Sequence, residues 1–160
     1  MRAASLVLWI IVCQAVGLLG GRWTAPEIPT WYRGLRKPWF NPPSWIFAPV
    51  WTALYLLMAI AAWQVAETGY SPRRTAALLL FAAQLTLNLA WPWIFFRRHA
   101  IRAALVEIVL MWVAIGAATV AFAQITPAAG WLMVPYWAWV SFAALLNAAI
   151  ARLNPAPRPG

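Results

Sequence analysis

Five long apolar stretches, separated by short polar or basic breaks, constrain this chain more than any other feature. They run from about Ala3 to Leu19, Ser44 to Ala66, Thr75 to Phe96, Ile101 to Phe122 and Ala129 to Ile150. A helix needs about 20 apolar residues to cross the hydrocarbon core of a bilayer, whereas a membrane strand needs alternating segments of about ten. The stretches are too long and too uniformly apolar for strands. The expected fold is therefore an all-α integral membrane protein, a bundle of five transmembrane helices. With 160 residues, 64% hydrophobic and 9% charged, no separate soluble domain fits. Residues 1–153 make one membrane domain, and the proline-alternating tail 154–160 is expected to be disordered. Arg2 followed by an apolar run has the outline of a cleavable signal, but the run continues to Leu19 and a retained first helix is expected.

A formal charge of +9 would suggest nucleic acid in a soluble protein. Here the cations fall between apolar runs, where topology and anionic headgroups account for them, so no nucleic-acid partner is expected. Arg22, Arg33, Arg36, Lys37, Arg97, Arg98, Arg102, Arg152 and Arg158 lie on one side, and Arg2, Arg73 and Arg74 on the other. The positive-inside rule then places the first loop, the third loop and the C-terminus in the cytoplasm, with the N-terminus outside. This holds for insertion into the inner membrane of a bacterial envelope, with the outer membrane as the alternative.

The catalytic inventory is thin. One histidine (His99), three acids (Glu27, Glu67, Glu107) and one cysteine (Cys13) exclude a disulfide, a metal cluster and a Ser/His/Asp arrangement by supply. No metal and no required cofactor is expected. His99, among Arg97, Arg98 and Arg102, reads as an interfacial loop residue. An acid at a helix centre costs about 2.5–3.5 kcal/mol, so Glu107, little more than a turn past Arg102, is expected to snorkel toward the interface in a structural role. Gly17 and Gly21 form a small-xxx-small pair compatible with close packing or self-association.

Tryptophan is what the chain has in excess, with 13. Interfacial belts explain Trp9, Trp23, Trp63 and Trp131. Others lie deeper and fall into stripes at helical spacing: Phe47, Trp51 and Tyr55; Gln84, Asn88, Trp91 and Phe95; and Trp139, Ala143 and Asn147. Taken singly, each stripe is explained by helix packing. Together, under an aromatic loop, they point to a pocket for a flat apolar ligand with a few polar groups. Pro49, Pro92 and Pro135 are expected to kink the second, third and fifth helices and so open space. The first connection, Gly20 to Pro43, is long for a compact bundle; its prolines and its Trp31, Tyr32, Trp39 and Phe40 suit it to cap the bundle as an ordered lid.

The run WYRGLRKPWFNPPSWIFAPVWTALY from Trp31 to Tyr55 resembles the TspO/MBR family of tryptophan-rich sensory proteins and translocator proteins. LNLAWPWIFF (Leu87 to Phe96), ALVEIVLMW (Ala104 to Trp112) and VPYWAWVSFAALLN (Val134 to Asn147) extend the likeness over nearly the whole chain. The resemblance implies a five-helix bundle, often a homodimer, binding protoporphyrin IX and related tetrapyrroles, or drug-like isoquinoline carboxamides, beneath the first loop. It assigns functional roles to Trp51, Asn88 and Trp139, and to Ala143 as a position whose enlargement affects ligand binding. The expected ligand-binding set is these four with Trp31, Trp39, Phe47, Tyr55, Gln84, Trp91 and Asn147, and Arg33, Arg36 or Lys37 as partners for porphyrin propionates. In some bacterial relatives the tryptophans matching Trp51 and Trp139 are tied to light-dependent porphyrin breakdown, which makes a photochemical enzyme the first rival to a binder. A lipid- or sterol-type transporter is the second. The sterol-associated pattern of animal relatives is broken here, however, with Ala148 at the tyrosine position and only Arg152 remaining.

Overall fold

The computed structural model describes residues 2–155. Its helices are α1 (Arg2–Thr24), α2 (Phe47–Ala66), α3 (Pro72–Pro92), α4 (Ile101–Ile125) and α5 (Pro127–Leu153), each long and apolar enough to span a bilayer. A 3₁₀ turn, Ser44–Ile46, leads into α2, and α3 continues as a π-helical turn, Trp93–Arg97. The chain is thus an all-α membrane protein with five spans. The helices close into a ring in the order α1, α2, α5, α4, α3, each packed on the next and α3 back on α1.

Local chemistry sets the breaks. Ser71 caps α3, its hydroxyl accepting from the Arg74 amide at 3.1 Å, and Pro72 follows at the first helical position, where no N–H is needed. Between α4 and α5 only Thr126 intervenes, and Pro127 restarts the helix. This hairpin is tight because Gly130 lies directly on α4: a Cβ there would sit 2.5 Å from the Ala123 Cβ and 2.8 Å from its Cα. Gly130→Val is therefore expected to destabilise the protein by more than about 3 kcal/mol, read as loss of monodisperse, thermally stable protein in detergent, since backbone cannot yield as a side chain can.

Alanines fill the core where helices meet. Ala59, Ala61, Ala62 and Ala118 are fully buried, in keeping with membrane helix packing through small residues. The outside is apolar too, with Val7, Leu8 and Ile11 on α1 and Val106, Val109 and Leu110 on α4 exposed to the bilayer.

Two sequence expectations change. Helix α1 runs to Thr24, past Gly20 and Gly21, so the irregular part of the first connection begins at Ala25 and includes a π-helical turn, Ile28–Tyr32. Glycine propensity favours an end at Gly20, but a Cβ on Gly20 would lie 3.1 Å from the Pro92 ring, and this packing carries the helix on. Among the prolines, Pro49 falls in the first turn of α2 and breaks nothing, and α5 runs unbroken through Pro135. Only Pro92 marks a change, from α3 into the π-helical turn.

Candidate ligand site beneath the first connection

The ring of helices leaves a cavity of about 580 Å³ at the end where the first connection lies. Phe47, Trp51 and Tyr55 of α2 form one wall, Asn88, Trp91 and Phe95 a second, and Trp139, Ala143 and Asn147 of α5 a third. Ile108 and Met111 of α4 close the back. At 1.5 Å per residue, the lining from Trp139 to Ile150 runs about 16 Å along α5.

Stripes at helical spacing become walls because each faces the ring's interior. Trp51 lies tilted on Tyr55 (5.6 Å between centroids) and edge-on to Tyr136 (6.2 Å). Phe47 meets Trp139 edge-on at 6.1 Å, and Trp91 stacks on Phe95 at 4.8 Å and 19°. Toward the lid, the Trp91 indole donates to Asn147 Oδ1 (3.1 Å), and Asn147 Nδ2 donates to the Ile101 carbonyl (3.0 Å). Deeper, a buried chain ties three helices: Tyr55 donates to Asn88 Oδ1, Asn88 Nδ2 donates to the Tyr136 hydroxyl (2.8 Å), and that hydroxyl donates to Gln84 Oε1 (2.9 Å). Gln84 thus supports the floor and does not line the cavity. The Trp139 indole N–H is buried without a partner among the described residues.

The lid is fastened at several points. Glu27 Oε2 lies 3.0 Å from His99 Nε2, and Trp31 stacks on the His99 ring at 4.1 Å and 12°. His99 adopts a left-handed backbone, φ 52°. At the far side, Asn154 clasps Arg36: the Arg36 amide donates to Asn154 Oδ1 (3.0 Å), and Asn154 Nδ2 donates to the Arg36 carbonyl (2.9 Å). Tyr32 is buried, donates to Asn41 Oδ1 at 2.8 Å, and has its hydroxyl pushed up to about 12 by desolvation. Lys37 folds back over the Tyr32 ring (4.8 Å), its ammonium donating to the Leu35 and Arg33 carbonyls, and desolvation pulls its pKa down.

Several expected site residues therefore lie elsewhere. Trp31 packs outside the cavity, on His99, Phe95 and Phe96; Trp39 is 96% exposed and touches Phe40; the lid's contribution is Ala25, Ile28 and Tyr32. Arg33 and Arg36 are exposed and, like Lys37, are absent from the lining. His99 lies in the loop before α4, as expected, and from there also fastens the lid. Asn154 belongs to the ordered structure, while 156–160 of the expected tail lie outside the described residues. Glu107 does not snorkel: it is 7% exposed, and neither carboxylate oxygen has a hydrogen-bond partner among the described residues.

Other cavity residues escaped the sequence reading. Gln14, Gly17, Gly21 and Arg22 of α1 all line it. Of the glycine pair, Gly17 packs under the Tyr55 ring, while Gly21 borders the cavity with nothing within 4 Å of a Cβ. Tyr136, buried beneath the cavity in the Asn88 and Gln84 network and not part of its lining, extends the Trp139, Ala143 and Asn147 stripe by one turn, a spacing that would have found it.

A sequence model of the TspO/MBR family matches residues 9–153. The chain is 43% identical over 152 residues to the tryptophan-rich protein TspO of Chlorobaculum tepidum, covering 94% of this chain and 96% of that one. It is 38% identical to the tryptophan-rich sensory protein of Cereibacter sphaeroides, with 96% and 94% covered, and 39% identical to the human translocator protein, with 89% and 85% covered. The family match runs through all five spans and every wall of the cavity, and the chain accordingly belongs to the TspO/MBR family.

Proposed function

We propose that this membrane protein binds protoporphyrin IX or a related tetrapyrrole in the cavity beneath the first connection and acts in tetrapyrrole sensing, transport or regulation. The observation that carries the reading is the cavity itself: about 580 Å³, walled by Trp51, Tyr55, Trp91 and Trp139, with few polar groups. Small-molecule sites run about 300–1,000 Å³ and are lined mainly by apolar and aromatic groups, and a flat macrocycle offers indoles a large face. An isoquinoline carboxamide or a lipid answers a similar description. The protein requires no cofactor in this reading, and the porphyrin is its ligand. The clustering of Arg33, Arg36, Lys37, Arg97, Arg98, Arg102 and Arg152 at the lidded end supports, by the positive-inside rule, a reading in which that end faces the cytoplasm from a bacterial inner membrane. A homodimer would pair through a surface other than the Gly17 face.

The test is a protoporphyrin IX titration of purified protein, following tryptophan quenching and porphyrin absorbance in darkness and under light, for wild type and for Trp51→Phe with Trp139→Phe. Saturable binding in darkness, with light giving only the bleaching of free porphyrin, is the expected result. A light-dependent product that vanishes in the double variant while binding persists would make the protein a photochemical enzyme instead. Absence of saturable binding would overturn the tetrapyrrole reading.

A further inference from the structure

The cations expected to meet a ligand's carboxylate are turned away from the cavity, yet one cation does line it. Arg22 stands in the last turn of α1, where a positive charge also suits the helix terminus, and its residue forms part of the wall near the lid. Among the described residues it has no ion pair, since the lid's nearby acid, Glu27, is engaged by His99. Among the described residues no other lysine or arginine, and no carboxylate, lines the cavity.

The remaining polar groups of the wall are largely committed. The Asn88 and Asn147 amides donate and accept within the protein, Gln14 Nε2 donates to the Thr52 carbonyl at 3.0 Å, and the Thr24 hydroxyl donates to the Gly20 carbonyl at 3.0 Å. In the depth of the cavity an incoming oxyanion would find one uncommitted neutral donor, the Trp139 indole N–H, whereas a full positive charge, the Arg22 guanidinium, stands only at the rim among the described residues. Arg22 lies five residues beyond Gly17, which packs under Tyr55, a rise of about 7.5 Å along the helix. An anion on a short arm could thus sit at the rim while the body it hangs from reaches the indoles.

We infer that Arg22 is the anion anchor of this cavity, pairing its guanidinium with the carboxylate of an amphiphile whose apolar body lies against Trp51 and Trp139. This rests on the reading of the cavity as a ligand site, but it selects among ligands by the charge at one end. A tetrapyrrole propionate and a membrane-derived fatty acid both supply that chemistry. Arginine suits the role because its fork can hold both oxygens of a carboxylate at once.

The experiment compares acids with their esters. Full-length wild type, Arg22→Gln and Arg22→Lys, in nanodiscs of phosphatidylcholine alone, are titrated with protoporphyrin IX and its dimethyl ester, and with cis-parinaric acid and its methyl ester. Wild type is expected to prefer acid over ester by about ten- to hundredfold, the effect of a hydrogen bond to a charged group. Arg22→Gln should lose that preference by weakening the acid alone, and Arg22→Lys should keep part of it. Because each variant's ester binding is its own control, a folding defect would lower both affinities together, and that result or an unchanged acid preference in Arg22→Gln overturns the assignment while leaving the tetrapyrrole reading standing. An Arg22-dependent preference for parinaric acid with no porphyrin binding would keep the anchor and sink the tetrapyrrole. Binding of neither acid to wild type would sink both.

Discussion

Gly17→Leu is expected to weaken protoporphyrin IX binding by about a hundredfold while the protein still inserts as a helical bundle. A Cβ at this position would stand 2.5 Å from Tyr55 Cε2 and 2.7 Å from Cδ2, so even the first added carbon displaces the ring. The rest of a leucine then enters the cavity that Gly17 lines. Tyr55 cannot move freely, because its hydroxyl is bonded to Asn88 and its ring lies on Trp51. Gly21 provides the contrast: it also lines the cavity, but a Cβ there meets nothing within 4 Å. Gly21→Ala should therefore realise the helix-propensity gain of about 0.8–1 kcal/mol, while Gly17→Ala offsets the same gain against the Tyr55 clash. Thermal melts of the alanine pair, porphyrin titration of Gly17→Leu and crosslinking of all three test this. If Gly17→Leu altered only the crosslinked population and left binding intact, the glycine pair would be an interface between copies after all.

The spans and most of the cavity walls were legible in the sequence because membrane helices declare themselves twice. Length and hydropathy mark each span, and a period near 3.6 marks the face that carries Trp51, Asn88 or Trp139. What periodicity leaves open is which face of a uniformly apolar helix turns inward. Helix α1 shows this: Gln14, Gly17 and Gly21 are small or weakly polar, and only the ring order of the helices reveals that they face a cavity. Arg22 was read with the loop because two glycines precede it, and tertiary contact with Pro92 is what keeps it helical. The lid misled in the opposite direction. Its aromatics suggested a ligand-facing cap, but Trp31 is spent on His99 and Trp39 points outward, so much of the loop's aromatic surface fastens it or faces outward rather than lining the site. Such pairings join residues far apart in sequence, as with Glu27 and His99 or Arg36 and Asn154, and no local pattern encodes them.

Asn88→Leu is expected to destabilise the bundle by about 1–3 kcal/mol, and the partner residues decide how the loss is shared. The asparagine joins α3 to both tyrosines of the floor: it accepts from Tyr55 and donates to Tyr136. Leucine leaves the Tyr55 hydroxyl buried with no acceptor, whereas the Tyr136 hydroxyl still donates to Gln84. An orphaned buried group costs about 1–3 kcal/mol, while interhelical hydrogen bonds measured in membranes average only about 0.6, so the orphan and not the lost bond sets the size. It follows that Tyr55→Phe, which removes the orphan, should return most of the stability when added to Asn88→Leu, giving a coupling of about 1 kcal/mol in a double-mutant cycle of thermal or denaturant unfolding in detergent. The same pair tests what Asn88 does for a ligand. Its amide already accepts from Tyr55 and donates to Tyr136, so its effect on porphyrin binding should run through the position of the Tyr55 ring, and affinity should recover along with stability in the double variant. Recovered stability with affinity still lost would mean instead that the Asn88 amide leaves the tyrosines and bonds the ligand directly.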